Sequence, residues 1–229
     1  MKKILVTGGA GFIGSHTSAC LLENGYEICV VDSLSHSSIK SLHQIRQIFS
    51  EKKINIDHKL KFFKGDLRDK EFIDSVFKES ENEAKPINGV IHFAGLKSVA
   101  ESVLNPMLYW ENNLIGSYNL IKSMSENNCT TIVFSSSATV YGNTSESLIK
   151  ESSKIKPINP YGSTKYAVEN LLNDIYVSQK DDWRIGILRY FNPIGAHPSG
   201  LIGENPLEKP NNIFPLIINS AYEKNNLKV

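Results

Sequence analysis

Tyr161-x-x-x-Lys165 sets a phenol and an ammonium one helical turn apart, so both face the same side of a helix. A tyrosine with its ordinary pKa of about 10 needs a shift of about 3 units, or ~4 kcal/mol, to act as a base near neutrality. One cation about 6 Å away at an effective dielectric of about 20 supplies roughly 2.8 kcal/mol. The lysine alone falls short, and a second positive charge, such as an oxidised nicotinamide, provides the remainder. The same spacing occurs in Tyr118-Asn-Leu-Ile-Lys122, where nothing reactive stands at a strand end just ahead. Tyr161 opens its helix after Pro160, and Ser137 at the end of an apolar strand can approach it across a cleft. Tyr161, Lys165 and Ser137 form the candidate catalytic set.

A second set lies at the N-terminus. The apolar run Ile4-Leu5-Val6 is followed by glycines at 8, 9, 11 and 14, with Phe12 and Ile13 between the last two. This is the pattern of a strand feeding a tight turn into a helix. Glycines let a phosphate approach the free N–H groups of the first helical turn, and the helix dipole favours the anion. Gly8, Gly11 and Gly14 therefore predict a dinucleotide site. Asp32 ends the next apolar run, Ile28-Cys29-Val30-Val31, eighteen residues past Gly14. An acid at an offset of roughly 20 residues is suited to hold the adenosine ribose hydroxyls. Ser33 to Ile39 contain no Arg or Lys for a 2′-phosphate, which favours NAD over NADP. Asp66, at a strand end, suits adenine or ribose recognition, with a helix N-cap as the rival role. Lys97, after a strand end and a glycine, suits a phosphate or ribose contact. His92 lies in an apolar strand and reads as a satisfied core histidine. His197, in Gly-Ala-His-Pro-Ser-Gly, reads equally as a substrate contact or a loop-shaping residue.

These residues need a scaffold, and the chain supplies an alternating one. Strands are expected at 4–6, 28–31, 60–64, 90–93, 131–134 and 185–188. Helices are expected over 15–24, with Gly25 as the C′ residue, around Ile45 and Ile48, over 72–77, from Pro106 to about Asn127, and over 161–177. Alternation of this kind predicts an α/β fold, a doubly wound parallel sheet of the Rossmann type with helices on both faces. The polar or glycine-rich turns at Gly8, Asp32, Asp66, Gly95 and Ser135–Ser137 all follow strands, so they can line one cleft at the carboxyl edge. After about Phe191 the prolines at 193, 198, 206, 210 and 215 change the texture. That gives a dinucleotide-binding domain over 1–190 and the beginning of a substrate-binding region over 191–229.

With 229 residues the chain can bury a full core, and a net charge of +1 offers no excess of positive charge for nucleic acid. Cys20, Cys29 and Cys129 have no metal-ligand spacing and suit reduced, buried thiols in a cytoplasmic protein. No metal site is expected. The glycines interrupt the apolar run after Lys2-Lys3 too early for a signal peptide, and no segment approaches the roughly 20 apolar residues of a membrane span.

The longer motifs are His92-Phe-Ala-Gly-Leu-Lys-Ser-Val-Ala-Glu-Ser102, Phe134-Ser-Ser-Ser-Ala-Thr-Val-Tyr-Gly142, Pro160-Tyr-Gly-Ser-Thr-Lys165 and Leu188-Arg-Tyr-Phe-Asn-Pro-Ile-Gly-Ala-His-Pro-Ser-Gly200. On these the chain resembles the extended short-chain dehydrogenase/reductases, and within them the UDP-glucose 4-epimerases. The likeness runs over essentially the whole sequence. It implies that Tyr161 takes the proton from the sugar 4-hydroxyl while NAD receives the C4 hydride. The 4-keto sugar then turns over before hydride returns to its other face. It implies that Ser137 hydrogen-bonds the reacting oxygen, and that Lys165 holds the nicotinamide ribose and lowers the tyrosine pKa. Around NAD it places Phe12, Ile13, Asp32, Ser33, Leu34, Ser35, His36, Ser37, Asp66, Leu67, Phe93, Ala94, Gly95, Leu96, Lys97, Asn112 and Phe191. Against the UDP-sugar it places Asn192, Asn212 and Ile213, and it implies a homodimer formed by the helices after Pro106 and from Tyr161.

Related 4,6-dehydratases carry an acidic pair shortly after the catalytic serine or threonine, and here those positions are Ala138 and Thr139. Neither can move the proton that eliminating water requires. The family runs on beyond Val229 into a C-terminal third that supplies arginines for the pyrophosphate and the sugar pocket. Were the molecule to consist of these residues alone, UDP-sugar binding should suffer while the NAD cleft survives. The alternative to an epimerase is then a truncated NAD-binding module without turnover.

Overall fold

In β2 (Glu27–Asp32) all six residues are buried, which is what a strand with both faces covered requires. It pairs in parallel with β1 (Lys3–Thr7) on one side and β3 (Leu60–Lys64) on the other. β1 continues to β4 (Ile87–His92), then β5 (Thr131–Ser137) and β6 (Arg184–Tyr190), all parallel. The order β3-β2-β1-β4-β5-β6 is the doubly wound arrangement expected from sequence, reversing direction at β1 and β4. The computed structural model describes residues 2–180, 182–205 and 213–224.

Helices fill both faces. On one, α3 (Lys70–Asn82), α6 (Gly116–Glu126) and α7 (Pro160–Ser178) pack Phe77, Leu120, Met124, Val168 and Leu172 against Leu5, Val90, Ile132 and Phe134. On the other, α1 (Phe12–Glu23) and α2 (Lys40–Glu51) pack Leu22, Leu42, Ile45 and Phe49 against Val6, Ile28 and Val30. After β6 the chain closes a turn through an Ala196–Gly203 bridge and sets Ile202 into this second core. The last described element is α8 (Ile213–Glu223), with Pro215 in its first turn, where a missing N–H costs nothing.

Helix starts carry the expected chemistry. Asp69 caps α3 by accepting from Phe72 N at 3.0 Å, and Asn159 caps α7 by accepting from Gly162 N at 2.8 Å, with Pro160 following. The end of α1 is closed at Gly25 (φ +82°), whose left-handed conformation lets Tyr26 N reach Leu21 O.

Three features differ from the sequence reading. A short helix, α4 (Val99–Leu104), precedes Pro106. The helix from Pro106 is not uniform: α5 (Pro106–Tyr109) passes through a π-helical turn, Trp110–Ile115, before α6. Cys20 is exposed, because its phase on α1 points it outward; only Cys29 and Cys129 are buried. None of the three thiols is paired. Among the described residues, no helix is long and apolar enough to cross a membrane, and no group of three or more His, Cys, Asp or Glu is placed to hold a metal.

Candidate functional site

The glycine turn begins where β1 ends. Gly8 takes φ +68°, and a Cβ there would lie 2.7 Å from Ala94 N; a Cβ on Gly14 would lie 2.2 Å from Gly8 O. The first residue must bend back against the β4 loop, and the second must let the helix ride on the turn. At the N-terminus of α1, Gly11 offers no side chain to cap the helix, and no acid stands in the first turn. The N–H groups of Phe12, Ile13 and Gly14 thus form a bare positive end, the chemistry a pyrophosphate needs.

Asp32, at the end of β2, is fixed beside that turn. One carboxylate oxygen accepts from Ala10 N at 3.0 Å; the other accepts from Leu34 N at 2.9 Å and from Ser37 Oγ at 2.7 Å. An ionised carboxylate has about four lone-pair sites, so acceptor capacity remains for a ribose hydroxyl. The loop that carries Ser33, Ser35 and His36 is shaped by Leu34 at φ +60° and a Ser33–Ser35 hydroxyl pair at 2.9 Å. Asp66 does not cap a helix, since Asp69 does; it is gripped instead by Arg68, which holds its carboxyl below the usual range. Asn119 of α6 donates to the carbonyls of Leu67 and Arg68, tying this loop to the helix layer.

The catalytic candidates meet at the carboxyl end of β5. Ser137 closes the strand, and its hydroxyl acts on the Tyr161 phenol at the first turn of α7, favouring the ionised form. One turn on, Lys165 is buried; its Nζ donates to Ser135 O at 2.8 Å and lies 4.9 Å from the Phe134 ring centroid and 6.0 Å from that of Tyr161. An ammonium has three protons, and Ser135 O takes one; among the described residues the other two are left for a ligand such as a pair of ribose hydroxyls. Burial lowers the Lys165 pKa to about 8. Burial also raises that of Tyr161, and the Ser137 hydrogen bond only partly offsets it. Low dielectric disfavours the phenolate more strongly than its neighbours favour it, so the tyrosine becomes a base only once further positive charge enters the cleft.

Other predicted residues fall around this centre. Gly95 lies against Asn113, where a Cβ would come within 3.1 Å of Oδ1, with Lys165 Nζ at ordinary contact distance beyond it. Phe93 lies tilted against Tyr190, ring centroids 6.5 Å apart. Lys97 reaches Glu204 at 3.6 Å, and Glu204 lines a small concavity with Asn192 and Ile213. Phe191 is exposed. Asn212 lies outside the described residues. His197 shapes its loop: Nδ1 pairs with the Ser199 hydroxyl at 2.8 Å, and its backbone bonds Ile202 and Gly200. His92 is a satisfied core group bonded to Thr7 and Ser117, and burial lowers its pKa to about 3. Tyr118 stays 47% exposed on α6, away from Ser137.

Two groups of residues escaped the sequence reading. Asn113, in the π-helical turn, is 2% exposed and clamps the loop after β4 through both Leu96 N (2.8 Å) and Leu96 O (3.0 Å), while also donating to Thr164 Oγ1 at 3.2 Å. Its neighbour Asn112 only reaches Leu108 O at 3.4 Å along the helix. Glu169, two turns past Tyr161, takes a bidentate contact from Arg189 of β6 at 3.0 and 2.8 Å and a further hydrogen bond from Ser136. Arg189 also bonds Tyr141 and Glu151 O, which pins α7 to the sheet directly beneath the site.

A family model described as GDP-mannose 4,6 dehydratase matches residues 5–227 of the chain. UDP-glucose 4-epimerase of Bacillus subtilis is 48% identical over 221 residues, taking in 96% of this chain and 61% of that protein. UDP-glucose 4-epimerase 2 of Arabidopsis thaliana is 47% identical over 216 residues, or 94% and 59%. The solved structure of the Bifidobacterium longum UDP-glucose 4-epimerase, in complex with NAD+ and UDP, superposes with a TM-score of 0.87 at 43% identity, covering 96% of this chain and 62% of that one. The chain spans about three-fifths of the length of these relatives.

Proposed function

For a chain that belongs to the GDP-mannose 4,6 dehydratase family, we propose NAD-dependent epimerisation of UDP-glucose and UDP-galactose at C4 as the chemistry of this site. The carrying observation is the meeting of Ser137, Tyr161 and Lys165 at one strand end, beside an uncapped glycine turn and an acid with spare acceptor capacity. Similarity to epimerases, one of them solved with NAD+ and UDP, supports the same reading.

Gly8, Gly11, Gly14 and the α1 N–H groups would hold the pyrophosphate of NAD, Asp32 its adenosine ribose, and Lys165 its nicotinamide ribose. Bound there, NAD supplies a hydride acceptor that later returns the hydride, and its positive ring supplies the charge that Tyr161 lacks. Tyr161 accepts the proton of the sugar 4-hydroxyl and later gives it back. Ser137 donates a hydrogen bond to the reacting oxygen. Dehydration needs an acid beside the serine to drive loss of water; the structure has Ala138 and Thr139 there, with the Thr139 hydroxyl bound to Ser137.

Residues 191–229 are read as the beginning of the substrate-binding region, with Asn192, Asn212 and Ile213 meeting the UDP-sugar. Two copies are read as pairing through α4–α6 and α7, whose outer faces expose Val103, Leu104, Met107 and Val177. Unpaired thiols at Cys20, Cys29 and Cys129 agree with a cytoplasmic setting.

Incubating the chain with UDP-galactose and following UDP-glucose tests the reading. Interconversion is expected, with a loss of at least a thousandfold in Tyr161→Phe (on the order of 4 kcal/mol of barrier). Undiminished turnover by Tyr161→Phe would sink the mechanism. Uptake of NAD without interconversion would leave a nucleotide-binding module.

A further inference from the structure

A hydroxyl has one proton to give and two lone pairs to receive with, so its role is fixed once both lone pairs are taken. At Ser137 they are. The hydroxyl accepts from Thr139 N at 3.2 Å and from Thr139 Oγ1 at 2.9 Å, because Ser137 caps the 3₁₀ turn Ala138–Tyr141 that follows β5. That leaves the serine proton free to be given to the Tyr161 phenol, whose ionised form this hydroxyl favours. Gly162 fixes the other side: a Cβ there would lie 2.8 Å from Thr139 O, so the start of α7 is seated directly on this turn.

We propose that Thr139 is a positioning residue, whose hydroxyl and amide together commit the Ser137 proton to the oxygen of Tyr161 or of the reacting sugar carbon. Ser137 then acts in one sense only, as a donor. It stabilises negative charge on the phenolate or the developing keto oxygen, and it takes no proton from substrate. Donation into Ser137 also strengthens the hydrogen bond Ser137 makes, since linked hydrogen bonds polarise one another. The position where the dehydratase relatives carry an acid is thus used here to orient a hydroxyl. The inference rests on the reading of Tyr161 as the proton acceptor, and deepens it.

The test follows the titration of Tyr161 rather than turnover alone. Tyrosinate absorbance is recorded against pH for the full chain with NAD, and the same curve for Tyr161→Phe is subtracted to isolate this one tyrosine. Thr139→Val keeps the shape and the amide but removes the hydroxyl; the Tyr161 midpoint is expected to rise by about half a unit to one unit, the worth of one hydrogen bond. Thr139→Ser restores the hydroxyl and should restore the midpoint. In a Ser137→Ala background Thr139→Val should add nothing, because the effect passes through the serine. An unmoved midpoint in Thr139→Val, or an equal shift in the Ser137→Ala background, overturns the proposal. The acid limb of kcat/KM for UDP-galactose should move with the midpoint. If the unaltered chain turns nothing over, the proposed function falls, and the titration still decides for or against Thr139.

Discussion

Lys165 shows what the site costs the fold. An ammonium that is nearly 95% buried, with one backbone acceptor and a ring face for company, is poorly solvated, and its pKa falls from 10.5 to about 8. Below pH 8 the folded protein must hold a charge that it hosts badly, at a cost of about 3 kcal/mol relative to the neutral amine. Between pH 8 and 10.5 the unfolded chain binds this proton while the folded chain releases it, so this group adds stability as pH rises through that window. Lys165→Met should therefore melt higher than the unaltered chain at neutral pH, and its advantage should shrink between pH 8 and 10.5. Melting temperatures of both proteins across that range check it; a gap independent of pH would show that the buried charge is not the source. The same variant should lose NAD-dependent turnover, the trade of stability for activity that a strained polar site implies.

At the scale of elements, the sequence was most informative where one residue type has one physical use. Glycines packed between a strand and a helix announced the turn at Gly8–Gly14, and alternating apolar runs located all six strands. Tyr161 and Lys165 were legible because a regular helix keeps a four-residue spacing on one face. The π-helical turn had no such signal. An additional residue in the helical circuit changes the phase of everything after it, and no residue type marks where that happens. Asn112 and Asn113 are identical in the sequence; only the phase of this turn decides that Asn113 faces inward and holds both polar groups of Leu96. Arg189 and Glu169 stayed hidden for a related reason, since their contact joins a strand and a helix twenty residues apart. Asn113→Ala would leave the Leu96 N–H without its partner and cost about 2–3 kcal/mol. Asn112→Ala gives up one long helical contact and should cost under about 1 kcal/mol. Urea denaturation of the two variants separates them, and equal losses would show that the clamp is not what orders this loop. With the Gly95–Lys97 segment loosened, NAD retention in Asn113→Ala should also weaken, by about tenfold.

On the scale of the whole molecule, the described surface is uneven in its chemistry. A parallel sheet hides its apolar residues under helices, yet the α4–α6 stretch leaves Val103 at 61%, Leu104 at 79% and Met107 at 70% exposed, with Ile115 at the end of the π turn and Tyr118 on α6 exposed as well. Beside it α7, which packs on α4, α5 and the π turn, exposes Tyr176 and Val177, the latter at 70%. Single exposed apolar side chains need no explanation, whereas several of them on neighbouring helices are what a contact with a second copy would cover. A two-fold pairing would bury the same patch on both copies, the commonest geometry for a soluble homo-oligomer, and would brace α7 from the side opposite the sheet. Stability of α7 would then depend on protein concentration. Light scattering of the unaltered chain at micromolar concentration should give twice the chain mass. Met107→Glu combined with Val177→Glu sets like charges into the patch and should yield monomers, because desolvating an unpaired carboxylate costs several kcal/mol. Those monomers should keep the strand and helix content of the parent, since both positions lie outside the core. A monomeric unaltered chain, or a double variant that still dimerises, would place the contact elsewhere.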